Sequence, residues 1–249
     1  MSTARGARAR AREEVTAAIK DEARRQLAAE GAAKLSLRAV ARELGMVSSA
    51  LYRYFPSRDD LLTALIIDAY DSVGEAAEQA DAALLKKAAR ASGTSRAANK
   101  AEALAPVRRW IAVSEAVRAW ALAHPHEYAL IFGSPVPGYT APLTTVPAAS
   151  RVGLLFFSIV RDAHQGQGPA EPPLPEELRP EAERLAADLA PDLPPAVVAA
   201  LVAAWAQLFG LIGFELFGQF NRVVEDRAAF FTHAATQLAH GVGLVPPRT

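Results

Sequence analysis

The chain has 249 residues, and its 27 Lys+Arg balance 27 Asp+Glu, so the formal net charge at pH 7 is zero. Alanine fills 55 positions and cysteine none, which favours helix and excludes disulfide frameworks, thiolate zinc sites, iron–sulfur clusters and cysteine nucleophiles. The length suits one or two domains; residues 1–12 hold four arginines and no apolar run, so no secretory signal is expected and the cytoplasm is the expected compartment.

The neutral total hides an asymmetry. Residues 1–58 carry 12 Lys+Arg against 6 Asp+Glu, a net of +6, which leaves 15 against 21, or −6, for residues 59–249. A basic head on an acidic body points an anionic partner, above all nucleic acid, at the N-terminal segment.

Val15, Ile19, Ala23 and Leu27 recur every four residues and predict a helix over 13–30, stopped at Gly31. Ser36 is an N-cap for a second helix with Leu37, Val40, Ala41 and Leu44 inward, and Gly45 suits its C-terminus. Ser48 or Ser49 then caps a third helix in which Val47, Leu51 and Phe55 face inward before Pro56 ends it. Ser57 with Asp60 opens a long fourth helix whose Leu61, Leu62, Leu65, Ile66, Ala69, Tyr70 and Val73 share one side.

Beyond it, 91–100 reads as a break and 104–124 as a helix holding Trp110, Ile111, Val113, Val117 and Trp120. Pro125 fits the first turn of a short continuation with Tyr128, Ile131 and Phe132. Four prolines and two glycines make 133–147 a loop, and 151–163 reads as helix. The stretch 169–195 is acidic, proline-rich and expected as a loop over the body, with a helix at 176–189 inside it. Two final helices, 195–220 and 226–242, close the chain. No strand pattern is present, so the fold class is all-α.

Two short helices joined by a tight turn, the second with a small polar outer face, are the parts of a helix-turn-helix. The inner residues Leu37, Val40, Ala41, Leu44, Val47, Leu51 and Phe55 lock the pair to the first helix. Ser48, Ser49, Tyr52 and Arg53 are left to face a major groove, where a helix reaches base edges with its N-terminal end.

Residues 35–66, LSLRAVARELGMVSSALYRYFPSRDDLLTALI, resemble the DNA-binding domain of the TetR family of transcriptional repressors. The resemblance rests on the capped second helix, Gly45, the apolar Val47, the aromatic Tyr52 and Phe55, Pro56-Ser57 and a basic residue at the start of the fourth helix. It implies DNA contact by Ser36, Arg38, Val47, Ser48, Ser49, Tyr52, Arg53, Tyr54 and Arg58. Tyr54 and Arg58 stand where the family often has His and Lys, and both can still reach phosphate. It also implies that Arg5, Arg8, Arg10 and Arg12 form an arm into the minor groove, the alternative being a solvated tail. Less specifically, 110–142 and 209–220 resemble a C-terminal ligand-binding domain in one branch of these regulators, often from actinobacteria, which implies a homodimer enclosing an inducer.

Other signals have plainer readings. His124-Pro125-His126-Glu127 lacks the i, i+4 histidine pair of a zincin and is read as helix-end capping, so no metal and no cofactor are expected. Ser134 in GSPVPG is not a nucleophile elbow, so no catalytic residue is assigned. Residues 196–214 contain one polar side chain, Gln207; with six alanines and no flanking basic cluster, they are read as a core helix at a dimer contact and not as a membrane span. Glu215 is read as an interface residue bonded to the last helix, with a pocket acid as the alternative. Trp110, Trp120, Tyr128, Phe132, Phe156, Phe157, Trp205 and Phe209 are core one by one, and together fit the lining for an apolar inducer.

The resulting expectation is a homodimeric repressor, with residues 1–58 as the DNA-binding head and 59–249 as the ligand-binding and dimerisation body. A small apolar ligand is expected to release it from a near-palindromic duplex operator. The competing reading is an enzyme or small-molecule binding protein that acts on apolar compounds without DNA.

Overall fold

The computed structural model describes residues 2–91, 105–165 and 171–244, and among them all regular structure is helical. The α-helices are α1 (Ser2–Glu30), α2 (Leu37–Glu43), α3 (Ser48–Leu51), α4 (Arg58–Ala91), α5 (Ala105–Ala123), α6 (Pro125–Phe132), α7 (Val146–Gln165), α8 (Arg179–Leu189), α9 (Pro195–Leu216) and α10 (Arg227–Gly241). Short 3-10 turns stand at Ala32–Lys34, Leu143–Thr145 and Glu176–Leu178. Of the expected break at 91–100, Ala91 still belongs to α4, and the rest lies outside the described residues, as does the expected helix start at Leu104.

The chain packs as two compact units, one of residues 1–71 and 124–149, the other of 72–123 and 150–249. These units are defined by packing, and their bounds differ from the expected division by task into 1–58 and 59–249.

In the first unit the core is the set that the sequence periodicity selects: Ile19, Ala23 and Leu27 from α1, Leu37, Val40 and Ala41 from α2, Leu51, Phe55, and Leu61, Leu62, Leu65 and Ile66 from α4. Ser36 Oγ accepts from Ala39 N at 3.4 Å, and Ser57 Oγ accepts from Asp60 N at 3.1 Å, so both expected caps form. Gly45 has φ of +64°, a left-handed conformation that a side chain resists, and the turn then folds back with Met46 N donating to Ala41 O at 2.8 Å.

Two boundaries here differ from expectation. Helix α1 begins at Ser2 and not at residue 13, because the alanines and arginines of 4–12 are strong helix formers even without an apolar stripe. Helix α3 is capped neither by Ser48 nor by Ser49: Val47 is its N-cap, with extended backbone and no side-chain cap. Val47 is therefore 70% exposed and not part of the core. The i, i+4, i+8 pattern placed it inward, but it precedes the helix, and Met46 packs against the core.

Helix α6 and the loop after it belong to this same unit. Leu130, Ile131, Val136 and Tyr139 pack against its core. Tyr139 Oη and Thr63 Oγ1 share a hydrogen bond of 2.8 Å, and Tyr70 Oη donates to Ile131 O at 3.3 Å. Arg24 gathers three carboxylates, with Asp68 at 2.6 Å, Asp21 at 2.8 Å and Glu127 at 3.1 Å. The loop expected over 133–147 is shorter, because α7 starts at Val146 with Pro147 in its first turn, where a missing N–H costs nothing.

The second unit is built on buried Val107, Trp110, Val113 and Val117 of α5, Val152, Phe156, Ile159 and Val160 of α7, and Leu201, Leu208 and Ile212 of α9. Within 171–195 the expected helix at 176–189 forms, as the 3-10 turn Glu176–Leu178 and α8, but the stretch is packed where a loop over the body was expected: α8 buries Ala182 and Ala186, followed by buried Ala190 and Leu193. Arg109 Nε and Nη2 clamp Asp81 at 2.6 and 3.0 Å, and Nη1 reaches Asp162 at 2.6 Å, which ties α4, α5 and α7 together. Helix α9 is long and apolar enough to cross a bilayer, as is Leu143–Gln165. One side of α9 is buried, from Val197 to Glu215, and the other shows Ala203, Ala206 and Gly210.

Candidate nucleic-acid interface

Helix α3 is one turn long, yet its register is fixed from both ends. Leu51 is fully buried and Phe55 is 7% exposed, while Phe55 N and Tyr52 N donate back to Leu51 O and Ser48 O at 3.1 and 3.2 Å. With the apolar side anchored, the opposite side carries Val47, Ser48, Ser49, Tyr52 and Arg53, all exposed. No side chain of this set makes a hydrogen bond or ion pair with another described residue, and Tyr52 keeps 42% of its surface. A major groove about 12 Å wide admits one such helix, so hydroxyls, a methyl-rich Val47 and a guanidinium stand together as donors, acceptors and an apolar contact for base edges.

The remaining sequence-predicted residues differ in how far they are engaged. Arg38 is exposed on the first turn of α2. Ser36 is half-buried, and besides capping α2 its backbone N donates to Gln26 Oε1 at 3.4 Å. Tyr54 is half-buried beneath the Arg12 guanidinium, which lies 5.1 Å from its ring centroid. Arg58 donates from Nη2 to Ala32 O at 2.8 Å and from Nη1 to Asp59 Oδ1 at 3.3 Å, so a phosphate meets a fork already partly occupied by the 3-10 turn. Lys34 and Arg42, exposed near this surface in sequence, were not singled out by pattern; Arg42 is paired with its neighbour Glu43 at 3.3 Å. The link of Arg12 to Tyr54 spans 42 positions and carries no sequence signal.

The aromatic residues expected as a single lining are divided between the two units. Tyr128 and Phe132 lie in the first, with ring centroids 5.1 Å apart, and Phe132 meets Tyr70 edge-on at 5.8 Å. Burial pushes the Tyr128 phenol well above its ordinary pKa. Trp110, Trp120, Phe156, Trp205 and Phe209 lie in the second unit. Trp110 and Phe156 are fully buried, with ring centroids 4.4 Å apart and planes tilted by 46°, whereas Trp205 is 40% exposed beside Phe209 at 5.5 Å. Trp120 Nε1 donates to Ser72 Oγ at 2.8 Å, but Trp110 Nε1 is buried without a hydrogen-bond partner among the described residues.

Two further readings are corrected. Glu215 is bonded not to the last helix but to Arg118 of α5, whose Nε and Nη2 each reach a carboxylate oxygen at 2.6 Å. That paired carboxylate raises the Arg118 pKa, and its guanidinium also lies over the Phe231 ring at 5.4 Å. His124 occupies the N-cap of α6 but gives no side-chain cap; its carbonyl accepts from Tyr128 N at 2.9 Å, and Glu127 is held by Arg24. Among the described residues, no three His, Asp or Glu side chains converge as a metal site would require.

A helix-turn-helix whose outer face is unspent, on a basic segment, defines a DNA-binding protein of the transcription-factor class. Residues 19–65 match the family of bacterial regulatory proteins described as tetR family, and residues 110–238 match the tetracyclin repressor-like C-terminal domain. The HTH-type transcriptional regulator Rv1816 of Mycobacterium tuberculosis (strain ATCC 25618 / H37Rv) is 38% identical over 219 residues, covering 87% of this chain and 86% of that protein. The crystal structure of the regulatory protein SCO4313 superposes with a TM-score of 0.68 at 32% identity, over 93% of this chain and 98% of the other. A TetR family transcription regulator from Shewanella sp. PV-4 shares the fold, with a TM-score of 0.53 at 17% identity over 90% of this chain and 94% of the other. The chain belongs to the TetR family and is an all-α, DNA-binding transcriptional regulator.

Proposed function

We propose that the chain acts in the cytoplasm as a homodimeric repressor whose paired heads, each of residues 1–58, hold a near-palindromic operator. A small apolar ligand taken up by residues 59–249 releases it, with no chemical turnover. The observation that carries this reading is the outer face of α3, where five exposed residues have no structural duty while Leu51 and Phe55 hold the helix in place. The DNA-facing set is Ser36, Arg38, Val47, Ser48, Ser49, Tyr52, Arg53, Tyr54 and Arg58, with the serines and Tyr52 at bases or phosphates and Arg38 and Arg58 at phosphates.

Dimerisation is supported by the second unit's uncovered apolar side. Phe214, Phe217 and Phe230 are 55%, 49% and 41% exposed, next to the small residues Ala203, Ala206 and Gly210 of α9 that let another helix come close. Ligand binding is supported by the buried N–H of Trp110 beside Phe156, which has no partner among the described residues and is a donor that an oxygen of an otherwise apolar molecule satisfies. Helix α4 runs through both units without a break, so a ligand preference between two dimer states can reach the heads, and only to the extent of that preference.

The test is selection of bound sequences from random duplex DNA by the full chain. A recovered near-palindrome with half-sites about one helical turn apart is the expected result. A soluble monomer that retains no duplex overturns the reading.

A further inference from the structure

Helix α1 is 29 residues long, or about 43 Å at 1.5 Å per residue, yet its buried stripe is confined to Ile19, Glu22, Ala23 and Leu27. Residues 6–14 are exposed throughout. This projecting stretch carries Arg8, Arg10 and Arg12 and no acid before Glu13. With no buried residue of its own, the stretch is placed against α3 only by what its polar side chains reach.

One tie is visible. The Arg12 guanidinium lies on the Tyr54 ring at 5.1 Å and donates from Nη2 to Arg53 O at 3.4 Å, which fastens the projection to the exit of the reading helix. Arg8 is one turn earlier on the same face as Arg12; Arg10 is turned about 160° away from Arg8 by the 100° step of the helix. Arg8 is exposed and has no carboxylate partner among the described residues. Arg8 is thus an exposed cation one helical turn N-terminal of the contact that Arg12 makes with the Tyr54 ring and the Arg53 carbonyl.

We infer that the N-terminal turns of α1 form a second, sequence-independent DNA contact, in which Arg8 binds a backbone phosphate outside the half-site and Arg12 is the positioning residue that aims it. The inference rests on the DNA-binding reading of α3. It replaces an extended arm in the minor groove, because a helix about 10 Å across does not enter a groove about 6 Å wide. Neutralising Arg8 removes its repulsion with Arg12 and steadies the projecting helix on DNA.

The experiment titrates the full chain and single variants against a random-sequence 40-bp duplex, between about 50 and 200 mM salt, since phosphate contacts need no operator. Arg8→Ala is expected to lower the slope of log K against log salt by about one and to weaken binding about three- to tenfold at the higher salt. Arg10→Ala removes the same charge from the opposite face and is expected to change the slope by less than half as much. Arg12→Ala is expected to lose as much as Arg8→Ala, and Arg12→Lys not to rescue it, because an ammonium keeps the charge but not the planar stack on Tyr54. Equal effects of Arg8→Ala and Arg10→Ala reduce the contribution to net charge and overturn the inference, as does an unchanged slope in Arg8→Ala. Failure of the unsubstituted chain to bind any duplex removes the DNA-binding reading itself.

Discussion

Arg38 and Arg53 of the head and the paired arginines of the second unit are the same side chain put to opposite uses, while Arg24 in the head is spent on three carboxylates. Arg109, Arg118, Arg151, Arg161 and Arg184 in the second unit are each paired with carboxylates, from the buried Asp81–Arg109–Asp162 cluster to the exposed Arg184 with Glu181 and Asp188. In the head, Arg38 and Arg53 are exposed with no such partner among the described residues. A spent guanidinium holds helices together; an unspent one is available to a phosphate. Charge that is satisfied internally supports the fold, and charge left over supports binding, so function here is marked by what the structure leaves unpaired.

The sharpest way to break this contrast is to remove a spent charge. Arg109→Met should destabilise the second unit by about 3–5 kcal/mol, because Asp81 is left buried and unpaired; urea unfolding measures it, and a cost below about 1 kcal/mol would put the cluster among the inert surface pairs. Next is the anchor of the reading helix. Leu51→Ala empties a fully buried position and should cost about 2–5 kcal/mol, with loss of duplex binding at temperatures where the second unit is still folded. Circular dichroism and DNA titration performed together check this.

Unspent groups should behave the other way. Tyr52→Ala is expected to weaken operator binding by about 1–3 kcal/mol while the melting temperature and the dimer stay unchanged. Arg58→Ala should lower both affinity and stability, since it also strips Ala32 O of its donor. If the two variants lose stability equally, the outer face of α3 is not free of structural duty.

The smallest effect concerns pH. Hydrogen bonding to Arg151 holds the Glu78 carboxyl below its ordinary range. A depressed folded-state pKa contributes stability that is complete above the unfolded pKa and is lost as pH falls through the folded value. Acid unfolding of Arg151→Gln should therefore show a slightly flatter loss of stability across the carboxylate range than the unsubstituted chain. Superimposable acid limbs would show that this half-exposed pair contributes nothing.

Much of the head was legible in sequence because its signals are local. Ser36, Gly45 and Ser57 act within three or four residues of their own backbone, and Leu37, Val40, Leu51 and Leu61 follow the helical period. Val47 shows the limit of that logic: a one-residue shift in where α3 begins turned an expected core residue outward. The candidate lining was less legible. Eight aromatic residues at helical spacing look alike in sequence, yet Tyr128 and Phe132 pack in one unit and Trp110 and Phe156 in the other.

By itself, then, the sequence determined most of the helices, the caps at Ser36 and Ser57 and the basic, polar-faced pair proposed to meet DNA, since periodicity and capping depend on neighbours within about one turn. Tertiary structure alone decided that Arg12 lies on Tyr54, that Glu215 belongs to Arg118 and that α6 packs with the head. Each of these joins residues tens of positions apart, and a charge or a ring has no way of naming its distant partner until the backbone brings the two into contact.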